Sequence, residues 1–149
     1  GLARPVALQP QYNLLHRGDV ENGYGPLARE SDVALFPYFS LASGLLTGKY
    51  HSAEEIEGSA REGMIGAYLP DEDATRAAFA VLDTARRIAD AHGVEVAAVA
   101  LAWLRARGAT APIASARIPG QLPALLASAA LELAADEVTA LDEASEPFV

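Results

Sequence analysis

Three stretches of the chain combine amide, hydroxyl, glycine and basic residues, and each directly follows an apolar segment. These stretches are 9–13, 38–49 and 115–121. If the apolar segments are parallel strands, the stretches emerge at the same end of a sheet. In parallel α/β folds that end is where ligands bind. The sequence therefore predicts one binding site built from three separate parts of the chain.

Two of these stretches have the chemistry of an anion site. From Ser43 to Lys49 the chain offers hydroxyl groups, two glycines and one ammonium group. Ser115 and Arg117 lie just before a predicted helix N-terminus, where unpaired amides and the helix dipole favour a phosphate. These residues favour a phosphate-rich ligand.

Three short apolar segments, each followed by helical sequence, predict the elements that position these residues. Short strands that are apolar throughout are typical of parallel sheets covered on both faces. The predicted strands are 6–8, 32–38 and 110–115. A helix with Asp73 as its cap and Gly93 as its stop is the longest of the predicted helices. The predicted helices are 20–31, 75–91, 96–107, 119–130 and 136–145.

This order of elements indicates the α/β class. We predict a single domain over 1–149 that forms a partial (β/α)₈ barrel, with three parallel strands and covering helices, and a long loop at 51–74. A closed barrel needs roughly 250 residues. Three strands leave two open sheet edges, so self-association through those edges is a further expectation.

The composition excludes several classes of function. The net charge of −9 excludes a broad basic surface for nucleic acid or an anionic membrane, and the absence of cysteine excludes disulfides and thiol chemistry. The three histidines are scattered, so we predict no metal site. No apolar run is long enough to span a membrane and no secretory signal is recognisable, so we expect a cytoplasmic protein that binds neither nucleic acid nor membrane.

Taken together, the motifs of this chain resemble the C-terminal portion of an aldo-keto reductase. The resemblance is closest from Pro37 to Tyr50, which is similar to the seventh strand and cofactor loop of that family. The other matching segments are 9–17, 99–104, 112–117, 121–122 and 131–145. The resemblance implies a (β/α)₈-barrel fold, NADP(H) as the cofactor, and hydride transfer between that cofactor and a small carbonyl or alcohol substrate.

The resemblance also implies a role for each matched residue. Gln9 hydrogen-bonds the nicotinamide carboxamide, and Tyr38 stacks on the nicotinamide ring. The residues that wrap the pyrophosphate are Leu41, Ala42, Ser43 and Lys49. The residues at the adenosine 2′-phosphate end are Ser115, Arg117 and Gln121, with Ser115 at a position where the family usually has glycine.

No part of the chain resembles the segments that carry the family's catalytic Asp, Tyr, Lys and His, so we assign no catalytic residue. This chain alone is therefore expected to be inactive. Two alternatives stay open: a non-catalytic remnant that binds a dinucleotide weakly or acts only with a partner, and a truncated product that does not fold alone.

Each of these residues also has a plainer interpretation. Gln9 is compatible with a satisfied polar group inside a barrel, Lys49 with a solvated side chain, and Arg117 with a surface ion pair. For Arg61, in the long loop, we favour the plainer interpretation over a cofactor contact. Trp103 has the helical spacing of a core residue.

Overall fold

The computed structural model describes residues 3–149 as helices packed beside a small parallel sheet. The strands are β1 (Ala7–Leu8) and β2 (Ala34–Leu35). The helices are α1 (Gly25–Glu30), α2 (Glu62–Gly66), α3 (Glu72–His92), α4 (Val96–Ala106), α5 (Leu122–Ala130) and α6 (Ala135–Ala144). A π-helical turn precedes α1 at Val20–Tyr24. The 3₁₀ turns are Ala42–Thr47, Pro119–Gln121 and Glu146–Phe148.

The sheet is two-stranded, with Ala7 beside Ala34 and Leu8 beside Leu35 in parallel register. Beyond these strands, the amide of Tyr38 donates to the carbonyl of Pro10 at 2.9 Å, so the segments that follow β1 and β2 continue side by side. The regular ladder stops after Leu8 because Pro10, the next donor position of β1, has no amide hydrogen.

The predicted third strand at 110–115 is not formed. This segment lies beside β2, where the amide of Thr110 donates to Leu35 O and that of Ile113 donates to Pro37 O, both at 2.8 Å. The bonds that β2 would return to this segment are missing, because the amide of Leu35 donates to the Thr110 hydroxyl at 3.1 Å and Pro37 has no amide hydrogen. The segment is therefore extended and attached to the sheet, but it is not a strand.

Helices α3 and α4 match their predicted positions closely. Asp71, rather than the predicted Asp73, caps α3, because its Oδ1 accepts from the amide of Ala74 at 2.8 Å. The helix ends at Gly93, which adopts the left-handed conformation. Helix α4 packs against α3, α5 and α6. Trp103 of α4 is fully buried, which confirms its predicted core position.

The segment predicted as a long loop, 51–74, contains helical structure. It includes α2 and the first residues of α3. Ile56, Ile65 and Tyr68 are buried in the core and attach this segment to the rest of the molecule. The sequence does not indicate this packing, because the apolar residues of the segment are isolated and do not recur with a helical period.

A largely buried cluster of polar side chains, called here the ionic cluster, connects the segment that follows β1 with helices α4 and α6. Its members are Tyr12, Arg17, Glu21, Trp103, Arg107, Asp142 and Ser145. Arg17 is 4% exposed, and its Nε and Nη2 donate to both carboxylate oxygens of Glu21 at 2.8 Å. Its Nη1 donates to the carbonyl of Asp142 and the hydroxyl of Ser145, both at 2.7 Å. Every nitrogen of the guanidinium is therefore paired.

Candidate functional site

An open cavity of about 340 Å³ lies where β1 and β2 end. Gln9 and Tyr38 both line it, together with Gln11, His16 and Asp19. The two residues follow neighbouring parallel strands, which explains why they meet at this cavity. Gln9 is exposed and Tyr38 is 37% exposed, so both side chains are accessible to a ligand.

The backbone fixes Tyr38 on both sides while leaving part of its ring open. Its carbonyl accepts from the amide of Tyr12 at 3.4 Å, in addition to the bond from its own amide to Pro10. The ring contacts that of Phe39, with centroids 5.2 Å apart and planes tilted by 56°. A flat aromatic face held in this way suits a planar ligand ring.

A tight turn follows Tyr38. Phe39, Ala42 and Ser43 have φ values of 52°, 46° and 57°, and Gly44 has a φ of 100°. The amide of Ala42 donates to Phe39 O and the amide of Gly44 donates to Leu41 O, both at 2.8 Å. Ala42 and Ser43 are buried and Leu41 is half-buried. These three residues shape the turn, and Ser43 is 5% exposed.

Lys49 is exposed at the end of this turn region. Gly48, at a φ of 81°, lies so close to α4 that an added Cβ would come within 2.6 Å of Val96 Cγ2. Arg86 of α3 donates through Nη2 to the carbonyls of Gly48 and Tyr50, at 3.4 and 2.5 Å. The backbone on both sides of Lys49 is therefore held, while its ammonium group lies 4.6 Å from the centroid of the Tyr50 ring.

A second cation, Arg61, contacts the same turn. Its Nη1 donates to the carbonyl of Ser43 at 3.1 Å. In the sequence Arg61 is one arginine in an irregular segment, and only the fold of 51–74 brings it to Ser43.

Ser115, Arg117 and Gln121 form the third part of the predicted site, and all three are exposed. Gln121 Oε1 accepts from the amide of Arg117 at 2.8 Å, so the two residues are adjacent. Within residues 3–149, the Arg117 guanidinium has no hydrogen bond or ion pair. Because 110–113 runs parallel to β2, these residues emerge at the same end as Tyr38.

These groups differ in chemistry. An aromatic face and an amide line the cavity, two cations lie at the turn, and before α5 lies a guanidinium that has no partner among residues 3–149. Groups of three or more possible metal ligands are absent from the described chain, and no helix within it has the length and apolarity needed to cross a membrane.

Comparison with known proteins identifies the family. The profile of the aldo/keto reductase family matches residues 1–146, so the chain belongs to this family. An aldo-keto reductase from Babesia bovis is 34% identical over 109 residues, which cover 72% of this chain and 38% of that protein. A versiconal hemiacetal acetate reductase from Aspergillus parasiticus is 25% identical over 144 residues, 97% of this chain and 40% of that protein.

The structural comparison agrees. The glycerol dehydrogenase from Gluconobacter oxydans superposes with a TM-score of 0.77 at 24% identity, covering 96% of this chain and 43% of that one. The fold is therefore a part of the barrel-type α/β fold seen in that protein. The chain spans about two fifths of the length of the curated relatives described above.

Proposed function

We propose that this chain is the NADP(H)-binding part of an aldo-keto reductase. The observation that carries the proposal is that Gln9 and Tyr38 line the same cavity. A turn with two cations and the Arg117–Gln121 pair lie at the same end of the fold. An acidic protein with a net charge of −9 needs local cations to bind a phosphate-rich cofactor, and these residues supply them.

Each residue has a role in this proposal. The Gln9 amide orients the nicotinamide carboxamide, and the open face of Tyr38 supports the ring. Lys49 neutralises the pyrophosphate. Arg61, for which the sequence favoured a plainer interpretation, adds a second charge because its guanidinium contacts Ser43 O of the turn. The turn at Leu41, Ala42 and Ser43 brings backbone groups close to the pyrophosphate. Arg117, with its free guanidinium fork, binds the 2′-phosphate, and Ser115 and Gln121 shape that end of the site.

When bound, reduced nicotinamide supplies a hydride for the reduction of a small carbonyl substrate. The residues of this chain bind and orient the cofactor, and we assign none of them as the proton donor. Under the alternative proposal the chain binds a dinucleotide without catalysing its oxidation. Self-association along the outer edge of β1 is compatible with both proposals, and sedimentation velocity would detect it as a mass above 15.6 kDa.

Titration of the chain with NADPH and NADH, followed by cofactor fluorescence, tests the proposal. We expect saturable NADPH binding that weakens by about tenfold or more in Arg117→Ala, because a hydrogen-bonded charge contributes ~1.5–3 kcal/mol. NADH, which lacks the 2′-phosphate, should lose much less affinity in the same variant.

Arg76→Ala is the matched control, because Arg76 is an exposed α3 arginine that pairs only with Asp73. Circular dichroism checks that each variant is folded. A folded chain that binds neither cofactor, or that binds NADPH equally with and without Arg117, would contradict the proposal. If the chain oxidises NADPH when a carbonyl compound is added, the alternative proposal, in which it binds a dinucleotide without catalysis, is contradicted.

A further inference from the structure

Tyr68 connects the segment after the turn to the end of β1. It is 7% exposed, and its hydroxyl oxygen accepts from Gln11 Nε2 at 2.9 Å and Asn13 Nδ2 at 3.4 Å. Burial raises the pKa of Tyr68, and the two amide donors oppose that effect. The Tyr68 phenol is therefore a neutral group that accepts two side-chain amide hydrogen bonds from the segment that follows β1.

Asn13 extends this connection toward the cavity. Its side chain is fully buried, and Nδ2 also donates to the carbonyl of Phe39 at 2.9 Å. Its Oδ1 accepts from the amide of Leu15 at 2.8 Å, which fixes the orientation of the amide group. Asn13 thus contacts both the Tyr68 hydroxyl and the backbone of Phe39.

Phe39 needs such support. Its φ of 52° lies in the left-handed region, which residues with a Cβ rarely adopt. Its carbonyl accepts from Asn13 and from the amide of Ala42. Because Phe39 directly follows Tyr38 and their rings are in contact, the backbone at Phe39 controls the direction in which the Tyr38 ring presents its open face.

We propose that Tyr68 is a positioning residue for the nicotinamide ring, acting through Asn13 and the Phe39 backbone on Tyr38. This inference rests on the proposed function and adds to it a residue from a segment that the sequence predicted to be loop. Tyr68 contacts no cofactor in this role. It holds the aromatic face in place, and its effect is confined to the nicotinamide end of the site.

The same segment reaches the other end of the turn through Arg61 and Ser43. A general loosening of 51–71 would therefore weaken binding of the whole cofactor. Loss of the Tyr68 hydroxyl alone should weaken only contacts with the nicotinamide. This difference separates a positioning role from a structural one.

The test compares wild type with Tyr68→Phe, which keeps the buried ring and removes the hydroxyl. Two ligands are titrated: NADPH, and 2′,5′-ADP, which carries the adenosine phosphates and no nicotinamide. We expect the NADPH dissociation constant to rise about three- to tenfold, because loss of the hydroxyl frees Asn13 and with it the Phe39 backbone. The dissociation constant of 2′,5′-ADP should change less than about twofold. In ¹⁵N spectra without ligand, the amides of Phe39 and Ser40 should shift.

Thr139→Val is the control, because it also removes one hydroxyl, from the exposed face of α6. It should leave both affinities and the Phe39 amide as in wild type. Equal weakening of both ligands in Tyr68→Phe, or no change in either, overturns the positioning role alone. A wild-type chain that binds neither ligand overturns the proposed function, and this role falls with it.

Discussion

Arg17 and Arg117 show two opposite uses of the same side chain. Arg17 is buried in the ionic cluster, and all its nitrogens are paired within the protein. Arg117 is exposed before α5, and its guanidinium has no partner in the described part of the chain. An arginine whose hydrogen-bond donors are all paired within the protein contributes to the stability of the fold. An arginine with unpaired donors, at a predicted phosphate position, is available to a ligand.

The same contrast extends to the surroundings of each arginine. In the ionic cluster, Tyr12 donates to Glu21 at 2.8 Å and Trp103 donates to Asp142 at 2.9 Å, so the acceptors are also satisfied. At the proposed cofactor site, Lys49 is exposed and Tyr38 presents part of its ring. We therefore expect substitutions in the cluster to change stability and substitutions at the site to change affinity.

Arg17→Met should have the largest effect on stability. It leaves Glu21 and Asp142 partly buried with only Arg107 as a cationic partner. Removing one partner of a buried ion pair costs about 3–5 kcal/mol. Urea unfolding monitored by circular dichroism measures this loss. Arg76→Met, at an exposed pair, should change the free energy of unfolding by less than ~1 kcal/mol. Equal effects in the two variants would contradict the contrast.

Glu21→Gln should have a smaller effect that depends on pH. Burial alone would raise the pKa of Glu21, but hydrogen bonds from Arg17 and Tyr12, with the charges of Arg17 and Arg107, lower it below the ordinary value of 4.5. The charged form therefore stabilises the fold above pH 4.5, and this stabilisation disappears as the pH falls through the lowered pKa.

Unfolding free energies of wild type and Glu21→Gln, measured from pH 7 downward, check this expectation. Wild type should be the more stable at pH 7, and the difference should narrow below about pH 4.5. Glu143→Gln, at an exposed glutamate of α6, is the control and should show little difference at any pH. A constant gap for Glu21→Gln would show that the carboxylate charge does not stabilise the cluster.

Lys49→Ala should have the smallest effect on stability. The Lys49 ammonium lies over the Tyr50 ring, and the backbone on both sides is held by Arg86. The free energy of unfolding should change by less than about 0.5 kcal/mol, as at other exposed positions. In the NADPH titration the same variant should bind more weakly. If Lys49→Ala lowers the free energy of unfolding and leaves the affinity for NADPH unchanged, Lys49 has a structural role and does not bind the cofactor.

The sequence predicted those features that depend on local pattern. The apolar residues of α3 and α4, and the glycine that ends α3, define these helices within a few residues. The meeting of Gln9 with Tyr38 was predictable because residues that follow parallel strands share one end of the sheet. The missing strand at 110–115 illustrates the limit. Its apolar residues suit a strand, but Leu35 donates to the Thr110 hydroxyl instead of a backbone carbonyl and Pro37 has no amide hydrogen to donate.

The ionic cluster and Tyr68 could not be predicted in this way. Arg17 and Asp142 are types usually found at the surface, and nothing local to either residue indicates that they meet. Tyr68 follows an irregular segment whose buried residues have no period. Contacts of this kind depend on the tertiary fold, which a single sequence does not specify by spacing.

The separation of the cluster's members along the chain has a consequence for the order of folding. Arg17 bonds Asp142 and Ser145, residues 125 and 128 positions away, and the amide of Arg17 donates to Phe148 O. Such contacts close a loop of nearly the whole chain, whose entropy must be lost before the contacts form, so we expect them to form late in folding. Interactions that form after the transition state slow unfolding rather than speed folding. We therefore expect the ionic cluster to lower the unfolding rate of the chain once α6 has docked.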